Sequence, residues 1–264
     1  MGDHAVRFSV FTKPWPKTPL GAMAKTVRKL GFDGLEFPLR TGYQIEPETA
    51  EEELPKLVAT CADFGLEVFS VASSLEEYVF AGCAAAGIPL IRVMTNFKRD
   101  LGYWANETAL KTRFTDEIIP LCEKYGVQVG VQMHYDYGVS TSMELHHLVE
   151  PFDPQHIGAI WDAGHSALAG EEPEQGLDIV WSHLCMVHLK NAFYQRITGP
   201  EAQYAKWKRY LTSGWQGMAS WARAANYLKE RHYQGVVCLT ANYDVEEESE
   251  RLIAQDIIYA KSLF

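Results

Sequence analysis

Residues 50–72 read AEEELPKLVATCADFGLEVFSVA. Apolar residues recur at 54, 57, 58 and 61, the spacing of one helix face, so residues 50–64 are expected to be helical. Gly65 then stands where a helix closes in the left-handed conformation, and residues 67–72 form a short strand-like run. The same handover through a single glycine recurs at Gly31, Gly87 and Gly126. Working outward, strands are expected at 7–12, 34–37, 67–72, 90–95, 128–133, 157–162, 186–190 and 236–240. Segments with helical period lie between them, at 20–30, 50–64, 77–86, 106–124, 221–230 and 247–264. Strand, helix, glycine and strand in alternation is the pattern of parallel βαβ units. Runs such as LIRVM and IGAIW are apolar almost throughout, as parallel strands covered on both faces must be.

Eight such units fit an α/β fold of the (β/α)₈ TIM barrel type. No linker or composition shift divides residues 1–264, so one domain is expected. A doubly wound open sheet is the alternative, but FTKPWPKTP follows the first strand where a glycine-rich dinucleotide loop would stand. The formal charge of −10 opposes polyanions and disfavours nucleic acid as a partner, while a local basic pocket stays open. Five cysteines, an odd number without CxxC spacing, read as buried thiols of a reducing compartment. No run is long enough for a membrane helix, and MGDHAVRF carries no apolar leader and no myristoylation pattern, so a cytoplasmic protein is expected.

In a barrel the working residues collect where strands end. Those places hold Thr12 to Trp15, Glu36 to Arg40, Ser70 to Ser74, Arg92 to Asn96, Gln132 to His134, Asp162 to His165, His188 to Asn191 and Leu239 to Asn242. Polar groups from eight strand ends converge on one mouth, where they must pair with each other or meet a ligand.

Six segments there carry a resemblance: GFDGLEF, GVQVGVQMH, GAIWDAGHSALAGEEP, MVHLKNA, SGWQGMASW and HYQGVVCLT. In this order they resemble the strand-end motifs of the sugar phosphate isomerase/epimerase superfamily, the xylose isomerase-like barrels, over residues 8–264. The resemblance implies a carbohydrate-sized site, one divalent ion (Mn, Mg or Zn) held by Glu, Asp, His and Glu from the fifth to eighth strands, and proton exchange by the two glutamates. Carried over residue by residue, Asp162 and His188 match, whereas Gln132 and Thr240 stand in place of the glutamates and Asn191 in place of an aspartate. One carboxylate undercompensates a divalent charge, so a weak Gln132, Asp162 and His188 site, or none, is expected. Neither Gln nor Thr takes a proton near neutral pH.

Acid/base work then falls to Lys190, His134, His165 or Glu36. Each has a structural alternative: a salt bridge for Lys190 and for Glu36, the latter with Arg40 or Arg92, and a plain loop histidine for the other two. Lys190 shares a strand face with His188. Trp15, Arg92, His134, His165 and Lys190 are the expected substrate contacts, with Tyr43, Phe97 and Tyr135 as further apolar walls. His146 and His147 imitate a metal cluster but sit on a helix away from the mouth. The Trp-rich stretch 207–221 is expected to be a lid or a contact in a homo-oligomer.

Three functions compete: a sugar or keto-acid isomerase or epimerase, which leads; a metal-dependent lyase or dehydratase; and a non-catalytic sugar-binding protein. The endonuclease branch fits least, since it needs a basic groove and several zinc ligands.

Overall fold

The computed structural model of the chain describes residues 6–264. The expectation of no leader rests on MGDHA, outside the described residues. Seven strands run in parallel around a barrel: β1 (Arg7–Phe11), β2 (Gly34–Pro38), β3 (Glu67–Ala72), β4 (Leu90–Met94), β5 (Gln128–Gln132), β6 (Ile157–Asp162) and β7 (Leu184–Leu189). The chain then leaves the barrel as an antiparallel ribbon of β8 (Asn191–Arg196) and β9 (Trp207–Thr212), and β10 (Val236–Leu239) returns to close the barrel between β7 and β1. This is a (β/α)₈ TIM barrel.

The helices are α1 (Leu20–Leu30), α2 (Ala50–Ala62), α3 (Glu77–Ala86), α4 (Tyr103–Arg113), α5 (Ile119–Tyr125), α6 (Ser142–Val149), α7 (Ala163–Leu168), α8 (Pro173–Val180), α9 (Trp221–Glu230) and α10 (Ser249–Leu263). In α2 the periodic positions Leu54, Leu57 and Cys61 are buried, so the apolar stripe read from the sequence is the face that packs. Gly31, Gly65, Gly87 and Gly126 all have φ between 66° and 94°. The single helix expected at 106–124 is instead α4 and α5 joined by a π turn at Phe114–Ile118. Pro120, at the start of α5, has no N–H for the regular ladder, and a local rewinding absorbs the loss.

Apart from a small cluster of Leu168, Ala192 and Leu211, two apolar cores result among the described residues. The larger lies between strands and helices; the smaller fills the barrel with Phe11, Ala72, Leu90, Ile160, Met186 and Cys238. Because alternate strand residues face inward, the same strands deliver Glu36, Ser70, Arg92, Gln132, Asp162 and His188 to a polar layer above that plug.

Candidate active site

A chain of hydrogen bonds crosses this layer. Glu36 Oε1 accepts from Ser70 Oγ at 3.1 Å and from Arg92 Nε at 2.8 Å. Arg92 Nη1 donates to Gln132 Oε1 at 2.7 Å, and Gln132 Nε2 donates to Asp162 Oδ2 at 2.8 Å. Asp162 Oδ1 caps α7, accepting from the backbone N–H groups of Gly164 and His165 at 3.0 and 3.1 Å. Burial would raise the Glu36 carboxyl, but attraction to Arg92, His188 and the hydrogen bonds from Arg92 and Ser70 bring it below its ordinary value. Burial opposes ionisation of Asp162 too, yet His165, Lys190, His188 and the His165 N–H hold it at about 2. Both stay carboxylates at neutral pH, which leaves Glu36 a counter-ion to Arg92 rather than a proton carrier.

Lys190 follows β7. Its backbone carbonyl accepts from Trp221 Nε1 at 3.0 Å, and its Nζ lies 2.9 Å from His165 Nε2 and 3.8 Å from Asp162 Oδ2. Gly164 makes room for it, since a Cβ there would stand 3.1 Å from the Lys190 backbone and side chain. Burial lowers the Lys190 pKa, Asp162 raises it, and Arg92, Arg209 and Lys13 lower it again; the net shift is downward. Burial likewise brings His134 and His188 down to about 4 and His165 well below its ordinary value, so all three rings are neutral at pH 7. The His134 and His165 rings lie 4.3 Å apart, and Tyr135 stacks on His165 at 5.4 Å.

Above this layer opens a cavity of about 80 Å³ lined by Phe11, Lys13, Arg40, Arg92, Met94, Gln132, His134, His188, Lys190, Thr240 and Asn242. It continues into a cleft of about 780 Å³ that shares Arg40, Arg92 and Met94 and includes Phe97. Arg92, His134 and Lys190 therefore face one space, with His165 directly behind Lys190. Trp15 does not join them: it is 7% exposed within the outer core, and its Nε1 points to Glu250 at 3.4 Å. His146 and His147 pair with Glu150 and Glu107 on the outside of the barrel. Asn191 is spent on structure, since its amide bonds the backbone of Ala192, Gly214 and Ala219 and ties down the loop after β9.

The four positions carried over for a metal do not fit a tightly held divalent ion. Gln132 Oε1 is taken by the Arg92 guanidinium, and the one carboxylate, Asp162, already has the Lys190 ammonium beside it. A different trio lies lower: ligand atoms of Glu36, His188 and Cys238 are within 4.8 Å of one another, and Glu36 Oε2 and both His188 nitrogens have no hydrogen-bond partner. Neither Glu36 nor Cys238 lines the cavity, so an ion there would lie beneath a substrate rather than against it.

Sequence reading placed Lys13 and Arg40 at strand ends, with Arg40 as a possible partner of Glu36, but gave neither a substrate role and did not single out Arg209. Lys13 and Arg40 stand just past β1 and β2, where the barrel rule looks; Arg209 lies on β9, and its guanidinium covers the Tyr135 ring.

The sequence profile described as xylose isomerase-like TIM barrel matches residues 24–263. An inosose dehydratase of Bacillus cereus is 32% identical over 71 residues, which is 27% of this chain and 24% of that protein. The chain thus matches about a quarter of that relative's length. Among solved structures, a 3-keto-D-glucoside 4-epimerase from E. coli superposes with a TM-score of 0.74 at 13% identity, covering 98% of this chain and 100% of that one. A probable 3-DHS dehydratase of Bacillus anthracis superposes with a TM-score of 0.71 at 12% identity, covering 94% and 97%. At these identities the structures share the fold.

Proposed function

Starting from the fact that the chain belongs to the xylose isomerase-like TIM barrel family, we propose that it dehydrates a small polyhydroxylated carbonyl compound, with Lys190 as the base. The observation that carries this reading is the Lys190 and His165 pair beside Asp162, a buried amine at the mouth whose pKa burial lowers. In its deprotonated form, which burial favours, the Lys190 amine takes the proton from the carbon next to the carbonyl. Arg92, fixed by Glu36 and Gln132, supplies positive charge for the enolate oxygen. The ammonium so formed returns its proton to the departing β-hydroxyl. One C–H and one C–O bond break, a C=C bond forms, and water leaves without any change in the enzyme. Epimerisation needs a second proton donor on the opposite face, and Gln132 and Thr240 have no exchangeable acid there. The relative named inosose dehydratase agrees with an elimination. No step is routed through a metal; Arg92 supplies the positive charge at the reacting oxygen.

His134, beside His165, gives footing to a second reading in which the proton returns to carbon and the enzyme is an isomerase or epimerase. A panel of ketoses and keto-polyols in D₂O separates the two. Dehydration yields an absorbing unsaturated carbonyl product, lost by about 10²-fold or more in Lys190→Met. Deuterated epimers or isomers without unsaturation would support the second reading, and neither product would leave a binding protein.

A further inference from the structure

The mouth is basic in a chain whose net charge is −10. Five cationic side chains, Lys13, Arg40, Arg92, Lys190 and Arg209, lie close enough for their charges to act on one another. The two buried carboxylates are already spoken for, Glu36 by Arg92 at 2.8 Å and Asp162 by Lys190 at 3.8 Å. That leaves three cations in excess. Among the described residues Lys13, Arg40 and Arg209 make no ion pair; Glu246 acts on Lys13 only from a distance, and Arg209 Nε is buried without an acceptor. Arg40 is held by the face of Phe11, 5.8 Å from the ring centre, and Arg209 by Tyr135 at 4.0 Å, so aromatic rings fix these guanidiniums and leave their N–H groups unspent. Mutually repelling cations fixed around a cavity favour an anion between them.

We infer that the mouth binds an anionic group of the substrate, a carboxylate or a phosphate, through Lys13 and Arg40 at the β1–β2 rim. In the barrel order β1 and β2 lie across from β5 and β6, which carry His134 and His165 at their ends, with Lys190 after the neighbouring β7. A substrate anchored by its anion at one rim presents its other end to the proton-transfer groups. The inference rests on the reaction site proposed above and specifies its substrate class.

Calorimetric titration with inorganic phosphate, and separately with glycerate as a carboxylate probe, tests it without catalysis. The native protein should bind at least one of the two, and the stronger identifies the anion. Lys13→Ala and Arg40→Ala should each weaken that binding about ten-fold, the scale of one charge-assisted hydrogen bond. The charge-matched control Lys29→Ala, on the exposed face of α1, should leave it unchanged. Absence of binding by both probes, or equal weakening by the control, overturns the inference. Anion binding that depends on Lys13 and Arg40 without carbon-acid turnover would refute the proposed reaction and keep the anion site. Turnover of neutral polyols without anion binding would do the reverse.

Discussion

Gln132→Glu exchanges one nitrogen for an oxygen with almost no change of volume, and its consequence can be worked out from two distances. The amide now accepts from Arg92 at 2.7 Å and donates to Asp162 at 2.8 Å. An ionised carboxylate in its place keeps the first contact and turns the second into two facing anions. At an effective dielectric of 20, the repulsion at 2.8 Å and the added attraction at 2.7 Å are each about 6 kcal/mol and cancel. The loss of the donor and the burial of a second charge remain. The new carboxyl can escape by taking a proton, after which it donates to Asp162 and accepts from Arg92 just as the amide does. Protonating a carboxyl of ordinary pKa, about 4.3, costs about 3.7 kcal/mol at pH 7, so the penalty saturates near that value. The sign follows: a carboxyl whose folded pKa is raised destabilises the fold increasingly as pH rises above its unfolded pKa. The deficit against the native protein should grow by about 1.4 kcal/mol per pH unit from roughly pH 4.3 and vanish below it. In thermal unfolding with chelator present this is a fall in Tm of about 7–15 °C at pH 7. Urea unfolding across pH 5–8 gives the slope. A deficit that does not vary with pH, or none at all, would show that the Arg92, Gln132 and Asp162 chain is not built as described.

Further outcomes follow from the same network. Asp162→Asn keeps the cap of α7 but removes the charge 3.8 Å from Lys190 that raises the amine's pKa. The acid limb of the pH–rate profile, where activity rises as the amine loses its proton, should shift down by about one unit or more; an unmoved limb would assign it to another group. Asp256 accepts from Gly214 N and Tyr243 OH, and burial raises its pKa to about 6. It therefore penalises the folded state as pH rises from its unfolded value through 6, and Asp256→Asn should be more stable than the native protein by about 3 kcal/mol at pH 8, with no gain at pH 4. Denaturant curves at the two pH values check this. Zinc uptake at the lower trio, followed by elemental analysis, should be abolished by Cys238→Ser with the Lys190-dependent activity retained; loss of both together would tie the ion to the reaction.

Much of the barrel was legible because its signals are local. A helix stripe such as Leu54, Leu57 and Cys61, a closing glycine, and a β-rich run need only neighbours in sequence. The ends of strands then named the mouth, and Asp162, His188, Gln132, Arg92, His134, His165 and Lys190 all lie at it or directly beneath it. The β8–β9 ribbon was not legible, since its pairing of Asn191 with Thr212 joins residues across an exposed loop without a two-residue turn signal. Nor was the fate of Trp15, whose position after β1 suits either a wall or a core residue until the α10 helix is placed over it.

Residue types and their order along the chain decide that eight parallel strands form, which side chains face inward, and that Gln132 and Thr240, neither of them an acid, stand at two of the strand ends. What each inward group does is decided only when strands far apart in sequence close the ring. Glu36 becomes a counter-ion because Arg92, from a strand two staves away, reaches it, and Gln132 turns its oxygen to Arg92 and its amide to Asp162. Ionisation depends on burial and on charges within a few ångströms, and those are set by the closed barrel rather than by neighbours in the chain.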